Sequence, residues 1–274
     1  ALAAQRATVA LDEDTRKPAS LAPMLWSNWG ALIATEARAG DFAAAEKSMR
    51  AGTAAAQAAA ALEVEGGARR VLFELAIAGL QSRVELARAN NQSAFDLAMQ
   101  TADRLRKLDV GAAKSGGVIR DAAAVRANIL RNVLTTASLA AIRTGRYGEA
   151  EAAARERHGL PPNPFSELDP QDEKSRAQVT LAHAIALQGR TAEALEVTAI
   201  QVARYRGELQ DGASGLSFAK DFAYALYVDA LARPAGDARR AANLAEASKQ
   251  LDSLSAEANQ LLDIRELRGW IAAG

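Results

Sequence analysis

A short glycine turn recurs along the chain and constrains its fold more than any other feature. The turn consists of glycine, a polar residue, a third residue of varying size, and alanine at the fifth position after the glycine. It occurs four times, at 40–45, 145–150, 189–194 and 236–241. Glycine ends a helix in the left-handed conformation at low steric cost, and a small residue lets two helices approach closely. The repetition therefore predicts successive antiparallel helix pairs.

A fifth turn is degenerate. The stretch ARANNQSAFDLAM at 87–99 aligns without gaps to ARAGDFAAAEKSM at 37–49, which places Asn90 where Gly40 stands. Asparagine tolerates the left-handed conformation, so Asn90 is predicted to end its helix as Gly40 does. Successive turns are then 50, 55, 44 and 47 residues apart. This spacing predicts five stacked hairpins, followed by a terminal cap helix at 255–272.

The stretch Gly145-Arg146-Tyr147-Gly148 allows two other interpretations. A glycine loop before a helix can bind a phosphate, and G-x-x-G can clamp a nucleic-acid backbone. The first usually follows a strand, and the second belongs to a mixed sheet with a basic surface. Because three other turns share the spacing from glycine to alanine, repeated geometry explains the stretch better. Gly145 is predicted as a left-handed helix stop and Ala150 as a close-contact point.

Composition favours an all-α protein. Alanine accounts for 67 of 274 residues and aromatic residues for only 5%. Alanine has the best helix propensity, whereas the β-branched and aromatic residues typical of strands are sparse. The predicted helices lie at 2–12, 20–39, 42–62, 67–89, 92–108, 118–144, 147–158, 170–188, 191–210, 216–233, 238–252 and 255–272.

The G-x-[YF]-x-x-A turn resembles that of the tetratricopeptide repeat (TPR), a solenoid of helical hairpins. Leu181 and Ala182 match the family's large-then-small pair on the first helix, and Leu134 with Ser138 fits more loosely. The family period is 34 residues, so the longer spacing here implies longer helices. The resemblance implies a right-handed superhelical solenoid of about five hairpins plus the cap helix. It also implies a concave groove that binds a peptide or protein.

Several kinds of chemistry have no support in the sequence. The chain lacks cysteine, and its two histidines, His158 and His183, show no zinc-ligand spacing. Nucleotide-binding and nucleophile motifs are absent. The 33 basic residues balance the 33 acidic ones, which argues against a nucleic-acid partner, and no apolar run reaches the length of a membrane span. We expect no enzyme activity, no cofactor and no metal.

The groove residues follow from the resemblance together with the helix pattern. Small and polar side chains on the first helix of each hairpin are expected to contact the partner, and the candidates are Arg131, Asn132, Thr135, Arg176, Thr180 and His183. A packing or surface role is the alternative for His183. Tyr224 and Tyr227 are expected either to fill gaps between helices or to line the groove.

The sequence leaves the biological context open. A single solenoid domain is predicted over 1–274, as a region of a longer protein because the chain begins without methionine. The excess of alanine, with 26 arginines against 7 lysines, suggests a GC-rich bacterial genome. Cytoplasm and periplasm are both compatible with this composition. The preferred function is a protein-interaction scaffold, and the alternative is a ligand-sensing regulatory domain with an enclosed polar pocket.

Overall fold

The computed structural model describes residues 22–61, 67–111, 119, 121–165 and 169–274, without the side chains of residues 22–27 and 69. These residues form helices joined by turns and loops and contain no strand, which confirms the all-α prediction. The described helices are α1 (Ala22–Arg38), α2 (Phe42–Ala61), α3 (Gly67–Ala87), α4 (Asn91–Lys107), α5 (Ala122–Arg143), α6 (Tyr147–Gly159), α7 (Pro170–Leu187), α8 (Thr191–Gln210), α9 (Leu216–Leu231), α10 (Ala238–Asp252), α11 (Ala256–Asn259) and α12 (Leu262–Ala273). The predicted helix at 2–12 lies outside the described residues.

The chain divides into two compact units. One comprises Ala1–Ala140 with Asn163–Phe165, and the other Ala141–Pro162 with Ser166–Gly274. In the first unit, α1 packs against α2, α2 against α3 and α3 against α4, and α1 also contacts α3. In the second, α6, α7, α8, α9 and α10 pack in chain order, each against the next of this set; α7 also contacts α9, and α12 contacts α9 and α10. Within each set, helices consecutive in sequence are therefore neighbours in space, which is consistent with a helical repeat.

Each unit has its own apolar core. In the first unit, Trp29 and Ile33 of α1 pack with Val84 of α3. In the second unit, Phe222 and Leu226 are fully buried at the centre of a cluster to which α6, α7, α8, α10 and α12 contribute. Burial of such apolar side chains is the main stabilising contribution to folding.

Three of the predicted turns share one geometry. Gly40, Gly145 and Gly189 have φ angles of 78°, 76° and 78°. In each turn the glycine N–H donates to the carbonyl three residues back, and the next N–H donates to the carbonyl five residues back. These two bonds satisfy carbonyls that the end of a helix leaves unpaired. The alanines five residues after these glycines are fully buried, as predicted: Ala45, Ala150 and Ala194.

The prediction for Asn90 was wrong by one residue. Ala89 has the positive φ, 61°, and its N–H donates to Leu86 as that of Gly40 donates to Ala37. Asn90 instead precedes the first residue of α4, with φ −78°. The buried alanine is accordingly Ala94, five residues after Ala89. The two stretches are therefore aligned correctly only after a shift of one residue.

The fourth turn differs from the other three. Gly236 has no positive φ, and Asp237 caps α10 by accepting a hydrogen bond from the N–H of Arg239. Ala241, predicted to be a close-contact point, is exposed. The buried stripe of α10 consists of Asn243, Ala247 and Leu251. The stripe starts six residues after the cap instead of four as in α8, so that Ala241 turns toward solvent.

The predicted helix at 255–272 is interrupted. Ser255 caps the four-residue α11, and the chain becomes extended at Leu261, where ψ is 136°, before α12 begins. This break allows Leu254, Leu261 and the fully buried Ile264 to pack against the same core. A single straight helix would turn only one apolar stripe toward the core. The change of direction at Leu261 lets apolar residues on both sides of the break reach it.

Replacing Gly145 with valine should lower the free energy of unfolding by about 1–2 kcal/mol, because a β-branched side chain is strained at positive φ. Urea denaturation of the wild type and the variant measures the effect. Gly148→Val, also at an exposed position in the first turn of α6 but without positive φ, is the matched control. Equal losses in both variants would contradict a left-handed requirement at residue 145.

Candidate functional site

The six predicted groove residues lie on two helices in two different units. Arg131, Asn132 and Thr135 lie on α5 in the first unit. Arg131 is buried and Asn132 is exposed, while the Thr135 hydroxyl donates to the carbonyl of Arg131 at 2.8 Å. Arg176, Thr180 and His183 lie on α7 in the second unit. Each set is brought together by the spacing along its own helix.

The α7 residues face helix α9. The Arg176 guanidinium donates from Nε to Oδ2 of Asp221 at 2.6 Å, and this ion pair is partly buried. Thr180 is buried, and its hydroxyl donates to the carbonyl of Arg176 at 2.9 Å. Polar groups of Arg176 and Thr180, which the sequence assigned to a partner, are therefore already bonded within the chain, to Asp221 and to the carbonyl of Arg176.

His183 lies within a cluster of aromatic side chains. Its Nδ1 is 2.8 Å from the hydroxyl of Tyr224. Its ring makes edge-on contacts with Tyr224, Tyr227 and Trp270 at centroid distances of 5.6, 5.5 and 5.4 Å. Trp270 of α12 is stacked on Tyr227 at 5.8 Å. Edge-on and offset-stacked rings at such distances attract one another, so the cluster holds α7, α9 and α12 together.

Two ion pairs connect α12 to other helices. Glu266 of α12 pairs with Arg143, in the last turn of α5 and within the second unit. Asp263, one turn earlier on α12, accepts from Lys220 Nζ at 3.3 Å. Carboxylates on α12 thus face cations on its neighbours, with the aromatic cluster beside them.

The burial of these rings sets their ionisation. Removal from water lowers the pKa of His183 to about 3, so the imidazole is neutral at physiological pH. Burial also raises the pKa of Tyr224 well above its usual range, an effect increased by Tyr227 and Glu266 and opposed by a hydrogen bond with Thr180. This neutral pair is suited to packing and hydrogen bonding, since neither group exchanges a proton near neutral pH.

Sequence reasoning missed Asp221, Asp263 and Glu266. A signal was present in the spacing. Arg176 and Asp221 are 45 residues apart, and Lys220 and Asp263 are 43 apart, close to the interval between turns. Opposite charges separated along the sequence by about the interval between turns are the pattern that identifies such contacts.

Other kinds of site receive no support from the described part of the chain. It contains no group of three or more His, Cys, Asp or Glu residues positioned to hold a metal ion. Among its helices, none combines the length and apolarity needed to cross a membrane. The chain matches no model of a known protein family, no curated protein and no solved structure.

Proposed function

We propose that this chain is a non-catalytic scaffold that binds a peptide or protein partner on the first helices of TPR-like hairpins. The proposal includes the superhelical solenoid, with α7 and α9 as first helices in the second unit. The observation that carries it is the side-by-side packing of α7 and α9, with α12 against α9. Arg176 of α7 and Lys220 of α9 are partly exposed, whereas the rings of His183 and Tyr227 are buried between the helices.

The geometry of the turns supports the repeat interpretation. Gly145 and Gly189 end helices with the same hydrogen bonds. Gln188, one residue before Gly189, donates to Glu151, six residues after Gly145. Arg88, one residue before Ala89, pairs with Glu46, six residues after Gly40. Equivalent positions of consecutive turns are therefore in contact in both units, as expected when one supersecondary unit is repeated.

The ligand-sensing alternative requires an enclosed polar pocket. A pocket of about 370 Å³ lies between α10 and α12, but it is open. Leu244, Leu251 and Ile271 contribute apolar side chains to its lining, and Ser248 and Arg268 contribute polar ones. This pocket gives the sensor hypothesis no support.

The proposed binding face predicts an effect of charge reversal at residue 176. Arg176→Glu should weaken capture of the partner from a lysate about tenfold, equivalent to about 1.4 kcal/mol of binding free energy. Capture on the immobilised chain followed by mass spectrometry measures this effect. Lys249→Glu, at an exposed position on α10, is the matched control and should leave capture unchanged.

A charge swap separates loss of binding from loss of structure. The double variant Arg176→Asp with Asp221→Arg keeps an ion pair between α7 and α9 while exchanging the positions of the charges. We expect it to recover the wild-type melting temperature and to remain defective in capture. Recovery of capture, or unchanged capture by Arg176→Glu, would rule out this face as the binding site.

A further inference from the structure

We infer that α12 occupies the partner-binding face as an exchangeable internal ligand. The partner is then a helix with carboxylates at positions i and i+3 and an aromatic residue at i+7. This inference rests on the proposed function and adds to it the chemical class of the partner. Its pattern is that of Asp263, Glu266 and Trp270 on α12.

Helix α12 presents two adjacent stripes to the second unit. Ile264, Leu267 and Ile271 are buried in the core. The second stripe, rotated by about 100° on the helix, consists of Asp263, Glu266 and Trp270. The first is typical of any packed helix, whereas the second combines charge and aromatic character in the manner of a recognition sequence.

The face that receives this second stripe is complementary to it. Lys220 and Arg143 supply cations for the two carboxylates. Tyr227 stacks on Trp270, and His183 contacts the edge of the same ring. The four residues come from α5, α7 and α9, and we call them the helix seat. Two matched charges and one aromatic anchor fix both the direction and the register of a bound helix.

The attachment of α12 allows exchange. The chain is extended at Leu261, and no side chain caps the start of α12. An open pocket of about 370 Å³ separates part of α12 from α10. The Lys220–Asp263 pair is partly exposed on both sides. Release of α12 leaves the contacts among α6 to α10 in place, and a partner helix with the same two stripes would replace those that are lost.

A peptide with the sequence of Leu261–Gly274 tests the inference. The probe is this peptide with a fluorescent label, and anisotropy measures its affinity for the full chain. The Trp270→Ala chain should bind it at least about tenfold more tightly than the wild type, because weakening the internal helix raises the fraction of open seats. A control peptide carrying Glu266→Lys and Trp270→Ala should not bind.

A second pair of changes tests the seat itself. Lys220→Glu in the Trp270→Ala chain should lower the affinity for the peptide several-fold. Asp263→Lys in the peptide should restore that affinity. Equal peptide affinity for the wild-type and Trp270→Ala chains, or binding by neither, would overturn the inference. Dimers of the full chain linked by exchanged α12 helices would overturn the assignment to a partner protein, because the occupant would be a second copy.

The two proposals fail separately. Arg176, tested by capture of a partner, pairs with Asp221 of α9, whereas the seat contacts α12 through Lys220, Arg143, His183 and Tyr227. If the peptide does not bind as expected but Arg176→Glu still weakens capture, only the proposal that α12 is exchangeable is rejected. Insensitivity of capture with intact peptide binding would remove the proposed face around Arg176, and α12 would remain an exchangeable helix without an assigned partner.

Discussion

Replacing Asp229 with alanine should lower the free energy of unfolding by about 3–5 kcal/mol. The Asp229 carboxylate on α9 is almost fully buried and has donors from both neighbouring helices. Thr198 of α8 donates to Oδ2 at 3.0 Å, and Asn243 of α10 donates to Oδ1 at 2.6 Å. Nε of Arg233 donates to Oδ1 at 2.6 Å. Truncation removes this shared acceptor from all three donors, and of these the charged Arg233 keeps a hydrogen bond to Asp237 at 3.2 Å.

The loss of stability in Asp229→Ala comes from the buried donors that lose their acceptor and not from the ion pair alone. A buried donor that loses its acceptor keeps the full penalty of its removal from water. Arg206 also donates to the side-chain oxygen of Asn243, so the loss extends to a second arginine. The network therefore joins α8, α9 and α10 in a way that apolar packing alone does not.

Urea denaturation of the wild type and Asp229→Ala measures the effect, with Asp252→Ala as the matched control. Asp252 pairs with Arg268 but is well exposed, so its removal should cost less than about 1 kcal/mol. The loss of stability in Asp229→Asn should lie between those of Asp229→Ala and Asp252→Ala, because the amide retains one acceptor oxygen but not the charge. A loss below about 1 kcal/mol for Asp229→Ala would contradict a stabilising role for the network.

Local sequence signals predicted most of the described helices. Asp169 caps α7, and Pro170 is its first residue, in agreement with the predicted helix at 170–188. Both helices that follow Gly145 and Gly189 start as predicted, because a glycine at positive φ is a local requirement. Prediction failed where local choices compete. Ala89 adopts the strained positive φ, and Asn90 lies at the position before α4, where its side-chain amide donates to Glu85.

The candidate site was predicted less well because its contacts connect distant parts of the chain. The positions of Arg176, Thr180 and His183 on one face of α7 follow from helical periodicity. Their partners on α9 and α12 depend on how α7 aligns with these two helices. Helix periodicity does not contain that information, and the break at Leu261, which positions Glu266 and Trp270, has no glycine or proline to mark it.

Acidification should destabilise this protein through His183. Burial lowers the pKa of His183 to about 3, against 6.5 in the unfolded chain, so between these values the unfolded state binds more protons. Stability from this residue is therefore complete above pH 6.5 and declines as the pH falls below it. Each pH unit in this interval costs about 1.4 kcal/mol, so the loss at pH 5 should be about 2 kcal/mol.

Denaturation curves at pH 7.5 and 5.0 for the wild type and His183→Gln isolate this contribution. All other titrating groups are common to the two chains, and glutamine retains a hydrogen-bonding group near Tyr224. We expect the variant to be less stable at pH 7.5, since its amide replaces a ring that contacts Tyr227 and Trp270. Its stability should nevertheless fall less between the two pH values. Parallel losses in both chains would mean that the imidazole of His183 takes up a proton within the folded cluster.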